Sequence, residues 1–262
     1  MSEPIASAIR DHPDLLAQSN HHGRRSVAAR QNVGGTAVEA RTSDVVAFRL
    51  HAHHLTDRQP TDGLHEIAGA CGIQNSPPGS ALLALHARVV GVTQDRMDRL
   101  VGEEKSLLQT WCMRGSPFYF PTRRRSRLHH GRPADHRDGS TASDRRRRPR
   151  AERTRDLRSP AEARGVRLLP PRDPYTQMRD RDTIVDQKHH REVWKTVGEP
   201  GAVLADGTIV GIWRPRKSGR TLTLTVTTFR SLGTELRKQL HEEADHVAEL
   251  RGATAVQVEF ER

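Results

Sequence analysis

Residues 106–122 read SLLQTWCMRGSPFYFPT. Two runs rich in apolar and β-favouring residues flank Arg114-Gly115-Ser116, which predicts two strands joined by a tight turn. What comes before this hairpin decides the architecture. Asp44 is placed to cap a helix whose apolar residues Val45, Phe48, Ala52 and Leu55 follow helical spacing. Thr61 caps a second helix, with Leu64, Ile67, Ala68 and Cys71 along one face. After Gly72 and the Pro77-Pro78-Gly79 turn, residues 80–90 predict a third helix, and residues 93–101 a short fourth. Compact helices followed by a hairpin predict a winged-helix module over 43–121.

The segments on either side behave differently. Residues 1–42 show no sustained period and are expected to be a disordered leader, apart from a short helical stretch near Pro4–Gln18. Residues 122–158 carry 14 Arg against 5 acidic residues, while only Leu128, Ala134, Ala142, Ala151 and Leu157 are apolar. Such a segment cannot bury enough surface to offset chain entropy of about 1–2 kcal/mol per residue, so a disordered basic linker is expected. The chain's formal charge of +11 is concentrated there. Because that charge sits on one tract, it predicts salt-sensitive nucleic-acid attraction without sequence choice.

From Val166 onward the pattern becomes mixed. VRLLPPRDPY predicts a strand and a proline-stiffened turn, and residues 182–196 a helix with Val185, His189 and Val193 on one side. Asp206-Gly207 between two apolar runs predicts a hairpin. RPRKSG (214–219) is read as a basic turn, and RTLTLTVTT (220–228) alternates with period two, as a half-buried strand does. Residues 231–251 give the clearest helix, striped by Leu232, Leu236, Leu240, Ala244 and Val247 and stopped at Gly252. A last strand follows. The fold class is therefore α+β. A winged-helix module and a C-terminal β-sheet or barrel-like module with a long helix (159–262) are joined by the Arg-rich linker.

Two cysteines, Cys71 and Cys112, exclude a disulfide framework and a cysteine-based zinc finger. No apolar run approaches the roughly 20 residues of a membrane span. A cytoplasmic location is expected.

Four stretches carry a family resemblance: Val45–Leu55 (VVAFRLHAHHL), Gly72–Val89 (GIQNSPPGSALLALHARV), Thr110–Gly115 (TWCMRG), and Arg172–Trp213 (RDPYTQMRDRD…VWKTVGEPGAVLADGTIVGIW). Together, in this order, they resemble the bacterial winged-helix DNA-binding proteins to which the AlkZ-type DNA glycosylases belong. The resemblance implies tandem winged helices in the middle of the chain, where this sequence has the Arg-rich tract. It also implies excision of alkylated or crosslinked bases from double-stranded DNA by a monofunctional glycosylase, acting as a monomer without membrane, metal or cofactor.

Glycosylase-type members carry Gln-x-Gln or Gln-x-Asp at the position of Gln74-Asn75-Ser76. An amide or carboxylate oxygen there stabilises an oxocarbenium-like sugar and orients water. Gln74 matches and is the expected catalytic residue. Ser76 departs from the motif, because a hydroxyl reaches less far and carries no charge, so impaired catalysis is expected. Asn75, Arg96, Arg99, Arg114, Arg214, Arg216, Lys217 and Arg220 are the expected DNA contacts, the last four clustered in one loop. Trp194 and Trp213 are read as core anchors. His51, His53 and His54, with the pairs His129-His130 and His189-His190, are read as surface or interhelical residues. Two alternatives stay open: a non-catalytic DNA-binding protein, and a non-functional remnant whose reading frame was altered.

Overall fold

The computed structural model describes residues 41–112, 115–122 and 165–261, which lie in one compact unit, Ala40–Arg262. The expected leader up to residue 40, the basic linker after Thr122 and Arg114 lie outside the described residues, while Thr42, placed in the leader, opens the first helix. The first half runs α1 (Thr42–Ala52), α2 (Leu64–Cys71), β1 (Ile73–Gln74), α3 (Ser80–His86), α4 (Gln94–Asp98), β2 (Leu107–Cys112) and β3 (Ser116–Pro121). The second half runs β4 (Val166–Leu169), α5 (His190–Val193), β5 (Gly201–Ala205), β6 (Thr208–Ser218), β7 (Thr221–Thr228), α6 (Thr234–Leu250) and β8 (Ala255–Glu261). The fold is mixed α and β.

The helix starts follow side-chain chemistry. Thr93 caps α4 by accepting from the Arg96 amide. Asp44 does not occupy the cap of α1. It sits one turn inside, where its Oδ2 accepts from the Arg41 amide at 3.1 Å, closing the helix end from the third helical position. The third helix is shorter than its apolar run implies, ending at His86, because Val89 is drawn into a bridge with Gln59.

β1, β3 and β2 form an antiparallel sheet in that order, with Ile73 opposite Tyr119 and Gln74 opposite Phe118. The second sheet has the order β4-β5-β6-β7-β8 and is antiparallel except for β7 and β8, which are parallel and joined through α6. Its outer strands do not pair among the described residues, so the barrel-like expectation becomes an open sheet. Asp206 and Gly207 both take positive φ, 46° and 82°, the left-handed pair that a two-residue hairpin turn demands.

Two further expectations change. Residues 182–196 form short turns and only one turn of helix, α5. Their buried residues Ile184, Val185 and Val193 include a neighbouring pair, and neighbours on a helix would point to different faces. The 214–218 segment belongs to β6 rather than to a loop, because Arg214–Ser218 pair residue by residue with Thr225–Thr221.

β5 is buried at every position, because it is covered on both faces. On one face Val203 and Ala205 pack with Leu168, Leu224 and the α6 residues Leu240, Ala244 and Val247. On the other, Ala202 and Leu204 pack with Leu50, Leu55, Tyr175, Ile184 and Val193. Leu83 of α3 joins the first cluster, while Leu50, Leu55 and Ala87 join the second. The two halves of the chain therefore share cores.

Polar bonds reinforce that join. Arg88, at 0% exposure, donates Nη1 and Nη2 to the two oxygens of Asp173 at 2.8 and 2.7 Å. Arg58 donates Nη2 to both oxygens of Glu243 at 2.7 and 2.8 Å. Two histidines sit in this seam. Burial, then the Arg88 charge, pulls His53 down to about 4. Burial, then Arg58, His246 and Arg167, pulls His86 down to about 3.

Both histidines are thus held neutral in the fold, whereas in the unfolded chain they protonate near pH 6.5. Since the unfolded state binds the extra protons, stability is expected to be full above pH 6.5, to fall progressively as the pH drops towards 3–4, and to level off below. Thermal melts from pH 7 to 4 check this. The variant His86→Gln keeps a hydrogen-bond acceptor without a titration and should flatten the slope.

Candidate functional site

The Gln74-Asn75-Ser76 stretch is held from three sides. Gly72, at φ 65°, ends α2 in the left-handed conformation that glycine tolerates. β1 then pairs with β3, and the Asn75 amide extends the ladder by donating to the Pro117 carbonyl at 2.8 Å. The Asn75 side chain turns the chain into α3. Its Oδ1 accepts from the Gly79 and Ala81 amides at 2.9 and 3.4 Å, and its Nδ2 donates to Gln109 Oε1 at 3.4 Å. Ser80 Oγ closes the turn by donating to the Pro77 carbonyl at 2.6 Å. Asn75 is thereby committed to the fold through both ends of its amide.

Gln74 differs. It is half-buried opposite Phe118, which is 8% exposed, and its amide makes no hydrogen bond with any described residue. The strand and the braced turn after it fix where that amide stands.

Ser76 faces residues from the second half of the chain. Arg172 Nη1 donates to Ser76 Oγ at 3.5 Å, and Arg172 Nε lies 3.6 Å from Glu199 Oε2. Gln177 Nε2 donates to Glu199 Oε1 at 3.3 Å. Arg172 has φ 59°, a left-handed conformation that costs a non-glycine residue free energy and concentrates at functional sites. Burial pushes the Glu199 carboxyl above its ordinary range, against the opposing pull of Arg172 and Gln177.

The expected DNA contacts divide by what they touch. Arg96 pairs with Glu104 at 2.5 Å, Arg214 Nη1 donates to the Gly198 carbonyl at 2.8 Å, and Lys217 Nζ donates to the Arg251 and Gly252 carbonyls at 2.8 and 2.9 Å. Lys217 thus closes the negative end of α6. Arg99, Arg216 and Arg220 are exposed, with no side-chain partner among the described residues. Trp111, on β2 one pair from the hairpin tip, is 72% exposed.

Trp213 is fully buried and donates Nε1 to the Leu169 carbonyl at 2.9 Å, and Trp194 donates to Thr176. No group of three or more His, Cys, Asp or Glu side chains stands in metal-binding position among the described residues. No described helix is long and apolar enough to cross a membrane. A groove of about 860 Å³ opens between α1, the β5–β6 turn and the start of α6, but none of Gln74, Ser76, Arg172 and Glu199 lines it.

A family model described as AlkZ-like, DNA glycosylase AlkZ-like, matches residues 67–159 and 139–250. The chain belongs to the AlkZ-like DNA glycosylase family. The Gln74 motif, the β2–β3 hairpin, Arg172 and Glu199 all fall within the matched residues. The fold is also that of Streptomyces sahachiroi DNA glycosylase AlkZ, with a TM-score of 0.59 at 16% identity, over 84% of this chain and 99% of that one. None of the curated protein sequences matches the chain.

Sequence reasoning passed over three residues that the structure brings forward. Trp111 lay in a quoted motif, but its exposure depends on the hairpin standing clear. Arg172 and Glu199 lay in RDPY and GEPG, and nothing local signals that Arg172 meets both Glu199 and Ser76, the latter 96 residues before it.

Proposed function

We propose that this chain is a monofunctional DNA glycosylase that excises alkylated bases from duplex DNA, with Gln74 at the reacting sugar. The reading rests on one observation: an amide held on a braced strand, half-buried, with no described partner of its own. As the C1′–N bond breaks, its electron pair leaves with the base and positive charge develops on the sugar. The Gln74 carbonyl oxygen is suited to face that charge, and a water held by the same oxygen adds to C1′. Reaching the site requires the base to leave the stack, at a cost of a few kcal/mol.

The element order supports a winged-helix reading of 43–121. Four helices, a short strand between the second and third of them, and a hairpin whose far strand pairs with that short strand fit a helix–turn–helix with a wing. Arg99, Arg216 and Arg220 remain the best phosphate contacts, because their charge is not spent on protein partners. Arg96, Asn75, Arg214 and Lys217 act first in holding the fold. Arg114 lies outside the described residues.

Single-turnover base release from methylated duplex tests the reading. Gln74→Ala is expected to slow release by about 100-fold or more while duplex affinity changes less than about twofold, the signature of an interaction made in the transition state. Non-catalytic duplex binding is the second reading, favoured by the serine at position 76. Under it the wild-type protein binds duplex and releases no base.

A further inference from the structure

We propose that Glu199, fixed by Arg172 and Gln177, is the carboxylate of the excision site and supplies the charge that Ser76 cannot. The inference rests on the glycosylase reading above and extends it to a residue more than a hundred positions further along the chain.

The fold holds two other enclosed acids in a different way. Glu243 and Asp173 are each gripped by one arginine through both oxygens, at 2.7 and 2.8 Å. Those are carboxylates tied up in structure. Glu199 is not gripped in this way. Its Oε2 stands 3.6 Å from Arg172 Nε and its Oε1 takes one long bond from Gln177, while the Arg172 backbone amide also pulls on the carboxylate. Its side chain is 17% exposed, against 44% for Arg172. The acid is therefore enclosed, held by longer contacts than those two pairs, and still reachable from outside.

Arg172 makes the link to the motif. One guanidinium spans the Ser76 hydroxyl and the Glu199 carboxylate, so both sit within the width of a single side-chain head. Ser76 follows Gln74 by two residues, so the amide, hydroxyl, guanidinium and carboxylate share one locality. Burial already raises the Glu199 carboxyl, so this acid gains from any cation brought to it. The oxocarbenium sugar is such a cation. When water adds to C1′, its released proton passes to the carboxylate, and the C1′–N electron pair has already left with the base. No further reactant is needed for the balance.

The test uses the full chain and two duplexes that differ only at one position. One carries a neutral tetrahydrofuran abasic site, the other a cationic pyrrolidine that mimics the charged sugar. Wild type is expected to prefer the cationic duplex by about tenfold. Glu199→Gln should bring that preference close to one, with tetrahydrofuran affinity and melting temperature unchanged. Placing the carboxylate at the motif position, as Ser76→Asp in the Glu199→Gln background, should restore part of the preference. Glu199→Asp, a second and milder change, should weaken it partly.

A Glu199→Gln protein that keeps the full preference would overturn the assignment of Glu199, while a Gln74 effect on base release would leave the glycosylase reading standing. A wild-type protein that binds neither abasic duplex more tightly than intact duplex would overturn both.

Discussion

Asp173→Asn is expected to destabilise the protein by about 3–5 kcal/mol, the cost of breaking a fully enclosed ion pair. Arg88 and Asp173 are 0% and 1% exposed, so the substitution strands a guanidinium where water cannot reach it. Arg88 has further ties: its Nη1 also donates to the Ala84 carbonyl, and its Nε to the His53 carbonyl, both at 2.8 Å. Asp173 is held as firmly, since its Oδ1 accepts from the Tyr175 amide at 2.9 Å. Burial alone would lower the Arg88 pKa, but the Asp173 carboxylate outweighs it and the net displacement is upward.

The consequence reaches the candidate site. Asp173 is the neighbour of Arg172, and Arg88 lies two residues past α3, the helix that the Pro77-Pro78-Gly79 turn joins to Ser76. The buried pair therefore sets the register in which Arg172 meets Ser76. Urea unfolding would measure the loss. A double variant, Arg88→Met with Asp173→Leu, should recover part of the stability, because two apolar groups replace a pair that had to be desolvated while the His53 carbonyl and Tyr175 amide lose their partners. A cost below about 1 kcal/mol for Asp173→Asn would mean that solvent reaches the pair.

The parts of this fold that are legible in the sequence are those whose signal is local. The alternation of Thr221–Thr228, the Asp206-Gly207 turn and the stripe of α6 each state their own geometry within a few residues. The strands around Gly115 are legible for the same reason. Arg214–Ser218 misled because charge and proline suggest a turn, yet the β6–β7 ladder runs through it. Arg and Lys side chains are tolerated on a strand whose end projects beyond the core. Residues 182–196 misled because their buried pairs follow tertiary fit rather than a period. At the site, Gln74 was legible as a motif position. The two-residue strand that holds it was too short to show a period, and the meeting of Ser76, Arg172 and Glu199 is a product of folding that no local pattern encodes.

Gly201→Ala is expected to cost about as much as a severe core defect, roughly 3 kcal/mol or more, although it adds only one methyl group. The reason is steric and not conformational, since Gly201 has no positive φ. Gly201 pairs with Trp213 across β5 and β6, and the indole lies over the glycine to donate to the Leu169 carbonyl on β4. A Cβ at 201 would overlap the indole nitrogen and its neighbouring ring carbon, and would stand 2.6 Å from the Leu169 oxygen. Neither neighbour can yield cheaply, because Trp213 and Leu169 are both 0% exposed and the oxygen is backbone.

Moving the indole also breaks the bond at the end of β4, the strand from which Pro170, Pro171 and Arg172 depart. Gly201 itself follows Glu199 and Pro200. One methyl group should therefore disturb both anchors of the Arg172–Glu199 contact. Thermal unfolding would read the stability loss. The companion variant Gly201→Ala with Trp213→Leu separates causes: if the overlap is what matters, the second substitution should be less damaging in the alanine background than in the wild type. Equal damage in both backgrounds would place the cost elsewhere.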